Sequence, residues 1–431
     1  MRKLVSLGLV ALCAAGWLNF GGSIISEQVE YANTLAAARA MAQRGVPYRS
    51  AQNFSTALSE KNQKNVYQEY LQELQKLNSN DIYYDGLADY LQRFPDETDY
   101  YQALMQHYHD EGSLNELMQL YHTAEANNAL NDQISAWYKE AFYTLVTVAG
   151  GYSWAGNFMN QYALVETGNQ WGIINADGAS VVKCQYDAAD YFLGGNSFAA
   201  SKDGQSWLMG FNGEIMMNPT QPLDRIHMTN DGVCVIEKDG KFAISDENLI
   251  VPEEFPYDAL CTSASGVMAA KKGDAWALIH TDGSQITDYV CEDIKIDPDW
   301  NICVKSGVIF ARQNGKYIML DTSGRQIGTE QFDDAKMFAS AQPTAIRQGD
   351  KWGFVNTDGT LNGDVQYDEV GPFSLSLYEA EENGKWGYKT PSGEFVIAPQ
   401  YDEAKPFAAN GIAAVREGDT WKYITIKGFQ Q

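Results

Sequence analysis

Basic residues are scarce in this chain. Its 431 residues include 31 Lys and Arg against 56 Asp and Glu, which gives a formal net charge of −25 and an isoelectric point near 4.5. Proteins that bind nucleic acid through its backbone need surplus Lys and Arg to neutralise the phosphates. The composition therefore excludes a generic nucleic-acid binder, and we expect no nucleic-acid partner.

Sequence motifs of the common enzyme classes are also missing. The chain has five histidines, and it contains no His-Glu-x-x-His, no Gly-x-Ser-x-Gly and no phosphate-binding glycine loop. His107 and His109 are two residues apart on a predicted helix, so they do not share a face and make a poor metal pair. Aspartates recur at turns, where Asp usually fixes the turn. We therefore predict a non-enzyme with no catalytic, metal-binding or cofactor-binding residues.

Long apolar runs are absent after Ile25, but one precedes it. Leu4–Ile25 carries no charge and follows Arg2-Lys3, and its length suits a helix that spans about 30 Å of hydrocarbon. We favour an uncleaved signal anchor over residues 1–25, with the N-terminus inside the cell. A cleaved signal peptide is the alternative, and a lipoprotein at Cys13 fits less well because a large Leu precedes the Cys. We thus predict a membrane protein with extracytoplasmic C-terminal domains, or a secreted one.

A repeated unit dominates the second part of the chain. Lys351-Trp352-Gly353 and Lys385-Trp386-Gly387 each follow a glycine turn and precede a Tyr-Asp-Glu. Each unit contains an apolar strand, a polar turn, a second strand, a tight turn that is often Asp-Gly, and a third strand, which is the pattern of β-hairpins. We expect the aromatic residue that starts each unit to lie in the core. These residues, 34 to 41 positions apart, are Trp171, Trp207, Phe242, Trp276, Tyr317, Trp352, Trp386 and Trp421.

Residues 169–178, 351–359 and 385–388 resemble units of the WG-repeat (KWG) family. The resemblance covers about Tyr162 to Lys427, although only three units have the Trp-Gly pair. The other units keep the turns and an aromatic residue but lose the glycine. What the family implies is a bacterial β-repeat module, usually without an assigned catalytic role. It supplies no active-site residues for this chain.

The unit length predicts how the repeats assemble. A unit of about 35 residues cannot bury its apolar face alone, so neighbouring units must cover it. A ring would also remove the exposed sheet edges. We predict a closed, propeller-like array over residues 150–431, with seven full units and a partial eighth; an open β-solenoid is the alternative. The partial unit, Thr420 to Lys427, would pair with Tyr152 to Asn160, where Trp154 would pack like a unit aromatic.

Residues 26–149 have helical periodicity and few glycines. The stretch around Gly45, Tyr48 and Ala51 resembles a tetratricopeptide repeat (TPR), in which small residues let two helices approach closely. We predict three helical hairpins and a capping helix from Asp132 to Val148, with Gly150-Gly151 at the domain boundary. The tyrosines of this part would line a peptide-binding groove or, alternatively, fill the core. The chain as a whole is thus an α + β multidomain protein.

The longest unit contains an insertion between Cys291 and Cys303. Asp297, Asp299 and Asn301 are similar to the first half of a calcium loop, but Ile302 stands where that loop needs glycine and no Glu follows at the required distance. We therefore favour a longer hairpin loop. Cys291 and Cys303 are a possible disulfide in an oxidising compartment, and free buried thiols are the alternative.

These features together favour a non-catalytic scaffold. We expect it to bind a protein or a cell-wall glycan through the TPR-like groove and one face of the β array. One alternative is an envelope hydrolase whose site lies in the central opening of the array, and another is a structural spacer. Convergence of His, Glu and Asp at one end of that opening would favour the hydrolase.

Overall fold

The computed structural model divides the chain into two compact units, Met1–Phe142 and Tyr143–Gln431. The predicted anchor, Leu4–Ile25, lies outside the described residues. Within the described part of the chain, no helix is both long and apolar enough to cross a membrane. The structure describes residues 28–77, 79–191, 197–227 and 231–430.

Seven helices form the described part of the first unit, and they pack as three consecutive hairpins and a final helix. The first hairpin is tight because Ala51 and Ala57 are buried small residues and the Ser50 hydroxyl donates to the carbonyl of Ala38 at 2.9 Å. Gly112 ends the fifth helix in the left-handed region. The helices are α1 (28–43), α2 (Pro47–Glu60), α3 (Lys64–Gln75), α4 (Asn80–Arg93), α5 (Thr98–Glu111), α6 (Leu114–Ala126) and α7 (Asp132–Phe142).

The capping helix is shorter than predicted. It ends at Phe142, and Leu145–Tyr152 instead forms a strand, β1. Gly150 and Gly151 therefore lie inside this strand, and the boundary between the two compact units falls after Phe142. The run Leu-Val-Thr-Val is rich in β-branched residues, which suit a strand that has a partner available.

In the described part of the second unit, the strands form eight antiparallel sheets, which we call blades 1 to 8. Blade 1 contains β2 (Trp154–Ala155), β3 (Tyr162–Thr167), β4 (Gln170–Asn175) and β5 (Ser180–Tyr186); blade 2 contains β6 (Ala188–Tyr191), β7 (Ser197–Lys202), β8 (Gln205–Gly210) and β9 (Ile215–Met217). Blade 3 contains β10 (Arg225–His227), β11 (Val233–Lys238) and β12 (Lys241–Asp246); blade 4 contains β13 (Ala259–Leu260), β14 (Val267–Lys272) and β15 (Ala275–His280).

The remaining four blades follow the same plan. Blade 5 contains β16 (Asp293–Ile294), β17 (Ile309–Gln313), β18 (Lys316–Leu320) and β19 (Gln326–Phe332); blade 6 contains β20 (Asp334–Ala335), β21 (Thr344–Gln348) and β22 (Lys351–Val355). Blade 7 contains β23 (Tyr378–Glu382), β24 (Lys385–Lys389) and β25 (Phe395–Tyr401); blade 8 contains β26 (Glu403–Ala404), β27 (Ile412–Glu417) and β28 (Thr420–Ile426), with β1 beside β28.

The eighth blade closes the ring because it is built from both ends of the unit. Its outer strand is β1, which pairs with β28 from Leu145↔Ile426 to Tyr152↔Trp421. Its Tyr423 packs with Phe158 and Ala163 of blade 1, and the Tyr423 hydroxyl donates to the carbonyl of Gly156 at 2.7 Å. The array is therefore a propeller of eight blades. The eighth unit, which we predicted to be partial, is completed by β1.

The strand that completes the eighth blade lies earlier in the chain than predicted. The prediction chose Tyr152 to Asn160, whereas the pairing strand is Leu145–Tyr152. Trp154 already belongs to the first strand of blade 1, where its ring lies 5.0 Å from that of Trp171. The prediction failed because residues 145–148 had been assigned to the preceding helix.

Candidate ligand site in the channel of the propeller

In two of the Tyr-Asp pairs, the aspartate fastens two neighbouring blades together. Asp402 accepts a bond from the Lys385 ammonium of blade 7 at 2.6 Å and from the Gly418 N–H in a turn of blade 8 at 2.7 Å. Asp258 binds Lys241 and the Gly273 N–H in the same way. We call this arrangement the clasp. The Lys side chain lowers the pKa of both carboxyls, and the repeated Lys and Asp are explained by structure.

The aromatic residues that start the units lie on the second long strand of their blades, close to the neighbouring blade. Tyr317, Trp352 and Trp421 are buried, and Trp171, Phe242, Trp276 and Trp386 are half-buried. Trp207 is out of register, because the turn pairing Lys202↔Gln205 places Ser206 at the equivalent position. The buried Ser206 hydroxyl bonds that of Ser201 at 2.7 Å. Alignment on the turns, instead of on the aromatics, would have shown this from the sequence.

Of the two alternatives for Cys291 and Cys303, the described structure has free thiols at both positions. Cys291 pairs with Trp276 at the outer edge of blade 4, and its Sγ is 3.4 Å from the amide of Gln313. Cys303 instead lies beside Cys261, and the hydrogen bond between these two thiols, together with burial, raises the pKa of Cys303. The two cysteines that bracket the insertion thus have different neighbours.

The insertion folds on itself around Asp297. The backbone N–H of Asn301 donates to the carbonyl of Asp297 at 2.8 Å, and the carboxylate of Asp297 accepts the N–H groups of Asp299 and Trp300 at 2.9 and 3.0 Å. The other carboxylate oxygen binds the Lys305 ammonium at 2.5 Å. Across the residues that the structure describes, no group of three or more His, Cys, Asp or Glu is placed to hold a metal ion.

This insertion is the longer hairpin loop that we predicted, since it joins the antiparallel strands β16 and β17, and it crosses the channel. We call residues 297–303 the plug. Asp299 binds Lys405 of blade 8 at 2.6 Å and accepts the N–H of Asn157 after the first strand of blade 1 at 3.0 Å. The carbonyl of Asn301 accepts the N–H of Thr262 in blade 4 at 2.7 Å. Blade 5 and blade 1 are opposite each other in a ring of eight, so the plug spans the central opening.

The first strand of each blade ends at the channel, and one equivalent residue at or near this end contributes to a ring around the plug. Several of these residues reach the next blade: Lys295 binds Asp334 at 2.8 Å, and Lys336 binds Glu369 at 3.1 Å. The pair between Asp190 and Arg225 has the same geometry with the charges reversed, at 3.1 Å. The eight equivalent positions are Gly156, Asp190, His227, Cys261, Lys295, Lys336, Gly371 and Lys405.

One cavity beside the plug contains a buried carboxyl group that sequence reasoning missed. The cavity has a volume of about 340 Å³, and Glu379 of blade 7 lies in its wall with 4% of its surface exposed. Its Oε2 finds no hydrogen-bond partner among the described residues. Burial raises the pKa of Glu379 to about 7, although Lys336 opposes part of this change.

Glu379 is exceptional within the repeat. Strand pairing places it two residues before the one opposite the unit aromatic. All seven other blades carry a buried apolar residue there, namely Leu164, Ala199, Val235, Ala269, Phe310, Ala345 and Ala414. The signal available in the sequence was therefore an acid at a repeat position that is apolar in the other blades, within a strand that contains three glutamates.

A second cavity, of about 380 Å³, contains the buried His227. Its Nδ1 is 3.1 Å from the Asp190 carboxylate, and its Nε2 is 3.8 Å from that of Glu237. Burial alone would lower the pKa of His227, but Asp190 and Glu237 outweigh it and raise this pKa, while the pKa of Asp190 is lowered. The two carboxylates thus favour the protonated imidazole, and His, Asp and Glu converge in this part of the channel.

The helical unit has a groove of its own, with a volume of about 280 Å³, between α4, α5 and α6. Leu91, Tyr101 and Leu104 lie at its base and are buried, whereas Gln92 and Gln119 at its edge are exposed. Most other tyrosines of this unit, such as the fully buried Tyr90, belong to its core.

Three segments, residues 171–205, 352–386 and 386–421, match the WG containing repeat. No curated protein matches the chain. Among solved structures, Kluyveromyces lactis Hsv2p is 8% identical with a TM-score of 0.35, over 64% of this chain and 96% of that one. The Neurospora crassa Pan2 WD40 domain is 8% identical with a TM-score of 0.36, over 66% and 96%. The strand pairing defines the propeller without reference to these TM-scores. The chain carries WG repeats at three places in its ring of eight blades.

Proposed function

We propose that the chain is a non-catalytic binding protein that acts as an exported scaffold and is held at the membrane by residues 1–25. The best support is that many charged side chains of the repeat bind other parts of the ring. The clasps, such as Lys385 with Asp402, fasten the turns, and the pairs around the plug, such as Lys295 with Asp334, join neighbouring blades. A closed ring whose ion pairs hold neighbouring blades in place is suited to presenting fixed surfaces to a partner.

The protein partner would bind in the groove of the helical unit. The buried side chains of Leu91, Tyr101 and Leu104 form an apolar base, and the exposed amides of Gln92 and Gln119 can hydrogen bond to a peptide backbone. An apolar base with polar groups at its edge is the usual composition of a protein interface. We therefore propose that a partner inserts a short apolar segment here.

Ala88→Trp would test this role, because Ala88 is half-buried in the groove wall and a large ring there would occupy the space. We expect the full-length variant to lose the partners that the parent protein captures from envelope extracts. Gln106→Trp is the matched control, since Gln106 is exposed on α5 outside the groove. Equal capture by all three proteins would refute the groove as the docking site.

The convergence of His227, Asp190 and Glu237 is the observation that favours the hydrolase alternative. A general base must be unprotonated, however, and the two carboxylates stabilise the protonated imidazole. We therefore assign this cluster to blade packing. Hydrolysis of a generic ester or glycoside substrate that is abolished by His227→Gln would reverse the assignment.

A further inference from the structure

The charges around the 340 Å³ cavity balance without Glu379. Four lysine ammonium groups face the cavity, and each is held by one carboxylate. The pairs are Lys295–Asp334, Lys305–Asp297, Lys336–Glu369 and Lys405–Asp299, at 2.8, 2.5, 3.1 and 2.6 Å. Glu379 is a fifth carboxyl group, and its Oε2 bonds to nothing in the described residues. The cavity therefore offers one polar group that still needs a partner.

The space for this carboxyl group is provided by a glycine. Gly371 occupies the position where other blades carry Lys295, Lys336 and Lys405, and a Cβ built on it would overlap the carboxyl of Glu379. Blade 1 also has a glycine at this position, Gly156, but its adjacent strand carries Leu164, whereas blade 7 carries an acid. A glycine that leaves space, together with a buried acid where the other blades have an apolar residue, indicates a site built for a ligand.

Apolar residues form most of the remaining wall of the cavity. It contains Pro298, Pro372, Pro406 and Met337. Lysines lie over the aromatic rings nearby: the Lys336 ammonium is 5.1 Å from the ring centres of both Trp352 and Trp386, and that of Lys405 is 4.6 Å from the ring centre of Trp154. Such a wall can pack against C–H groups, while the ammonium and carboxyl groups exchange hydrogen bonds with hydroxyls.

The charge balance selects among ligand classes. A compact cation would find one carboxyl group without a partner, because the other carboxylates around the cavity are bound to lysines, and an anion would add a negative charge beside Glu379. A neutral polyol has neither cost, because each hydroxyl can donate to Glu379 and accept from a lysine. We propose that this cavity binds one or two residues of a neutral sugar, with Glu379 as the hydrogen-bonding group that recognises a hydroxyl. This inference concerns the β unit alone and does not depend on the helical groove.

The test uses full-length protein on an array of neutral mono- to tetrasaccharides, with calorimetric titration of the glycans that bind. Acetate, inorganic phosphate and ethanolamine are the charged probes. We expect saturable binding of a neutral glycan that Glu379→Ala weakens by roughly 10-fold or more, the effect of losing a hydrogen bond to an ionisable group. Gly371→Ala should weaken it too, because its Cβ displaces the Glu379 side chain.

The control is Glu382→Ala, which removes an exposed acid from the same strand and should leave binding unchanged. Removal of a buried carboxyl without a partner should not lower the melting temperature, so weaker binding by Glu379→Ala cannot be ascribed to misfolding. Binding of the charged probes instead of glycans would overturn the ligand class. Absence of binding by every probe, or full binding by Glu379→Ala, would overturn the site; neither result bears on the helical groove.

Discussion

Gly371 and Glu379 share a single space, because the carboxyl group of Glu379 occupies the volume in which any other residue at position 371 would place its Cβ. The backbone joins the two residues as well, since the Gly371 N–H donates to the Glu379 carbonyl at 2.8 Å. A buried acid held in this way, without a partner for Oε2 in the described structure, should be visible in the stability of the β unit.

The first prediction concerns pH. The pKa of Glu379 is about 7 in the folded state, above the ordinary value of 4.5, so the folded protein binds more protons than the unfolded one between these values. Its free energy of unfolding should therefore fall as pH rises from 4.5 to 7, by about 3 kcal/mol from this residue. Denaturant unfolding of the β unit at pH 5 and pH 8 would measure it. Glu379→Gln should lose this part of the pH dependence, and an unchanged slope would contradict the prediction.

The second prediction concerns the unit tryptophans. Trp352 has 8% of its surface exposed, and Trp386 is half-buried. Trp352→Ala should lower the free energy of unfolding by roughly 3 to 5 kcal/mol, because it leaves a large cavity between blades 6 and 7. Trp386→Ala should cost less. Thermal melting of both variants would check the order, and a larger loss for Trp386→Ala would show that exposure is a poor guide here.

The third prediction concerns the clasp. Asp402→Ala removes the acceptor of the Gly418 N–H and the partner of Lys385. The amide of Gly418 should then exchange with solvent faster, because its hydrogen bond in the folded protein is lost. Asp419→Ala is the matched control in the same turn, since its carboxylate makes no bond to a neighbouring blade within the described residues. Hydrogen exchange measured by mass spectrometry on the peptide that contains residue 418 would decide.

The fourth prediction concerns ring closure. Val146 of β1 pairs with Thr425 of β28, and the bond from the Lys427 N–H to the Thr144 carbonyl sets a register in which the Val146 N–H points to β28. Val146→Pro would therefore break this ladder, because proline has no N–H. We expect faster amide exchange over residues 420–426, with little change in blade 4, which lies opposite. Equal exchange rates in the variant and the parent would mean that β28 does not depend on β1.

The ring could be predicted from the sequence because its signals are periodic. Turn glycines, the unit aromatics and the Tyr-Asp pairs recur at nearly constant spacing, and strand arithmetic then requires neighbours and closure. Trp207 shows the limit of this reasoning. An aromatic one residue out of register satisfies the spacing almost as well as the correct position, which Ser206 occupies.

The candidate site could not be predicted because it depends on contacts between distant blades. The sequence of residues 297–303 does not indicate that Asp299 binds Lys405 and Asn157 across the channel. Likewise, Cys291 and Cys303 are close in sequence, yet the neighbour of Cys303 is Cys261. Glu379 was detectable in principle, as an acid at a position that is apolar in every other blade, but this comparison needs the register of all eight.

Blade 8 combines β1 with strands from the other end of the β unit, and this determines when the ring can close during synthesis. β1 has no partner strand until residues 420–426 have been made, so the ring cannot close while the chain is still growing through blades 1 to 7. Contacts of such long sequence separation form slowly. If the chain is exported as we propose, this delay would keep the β unit open and threadable during its passage across the membrane.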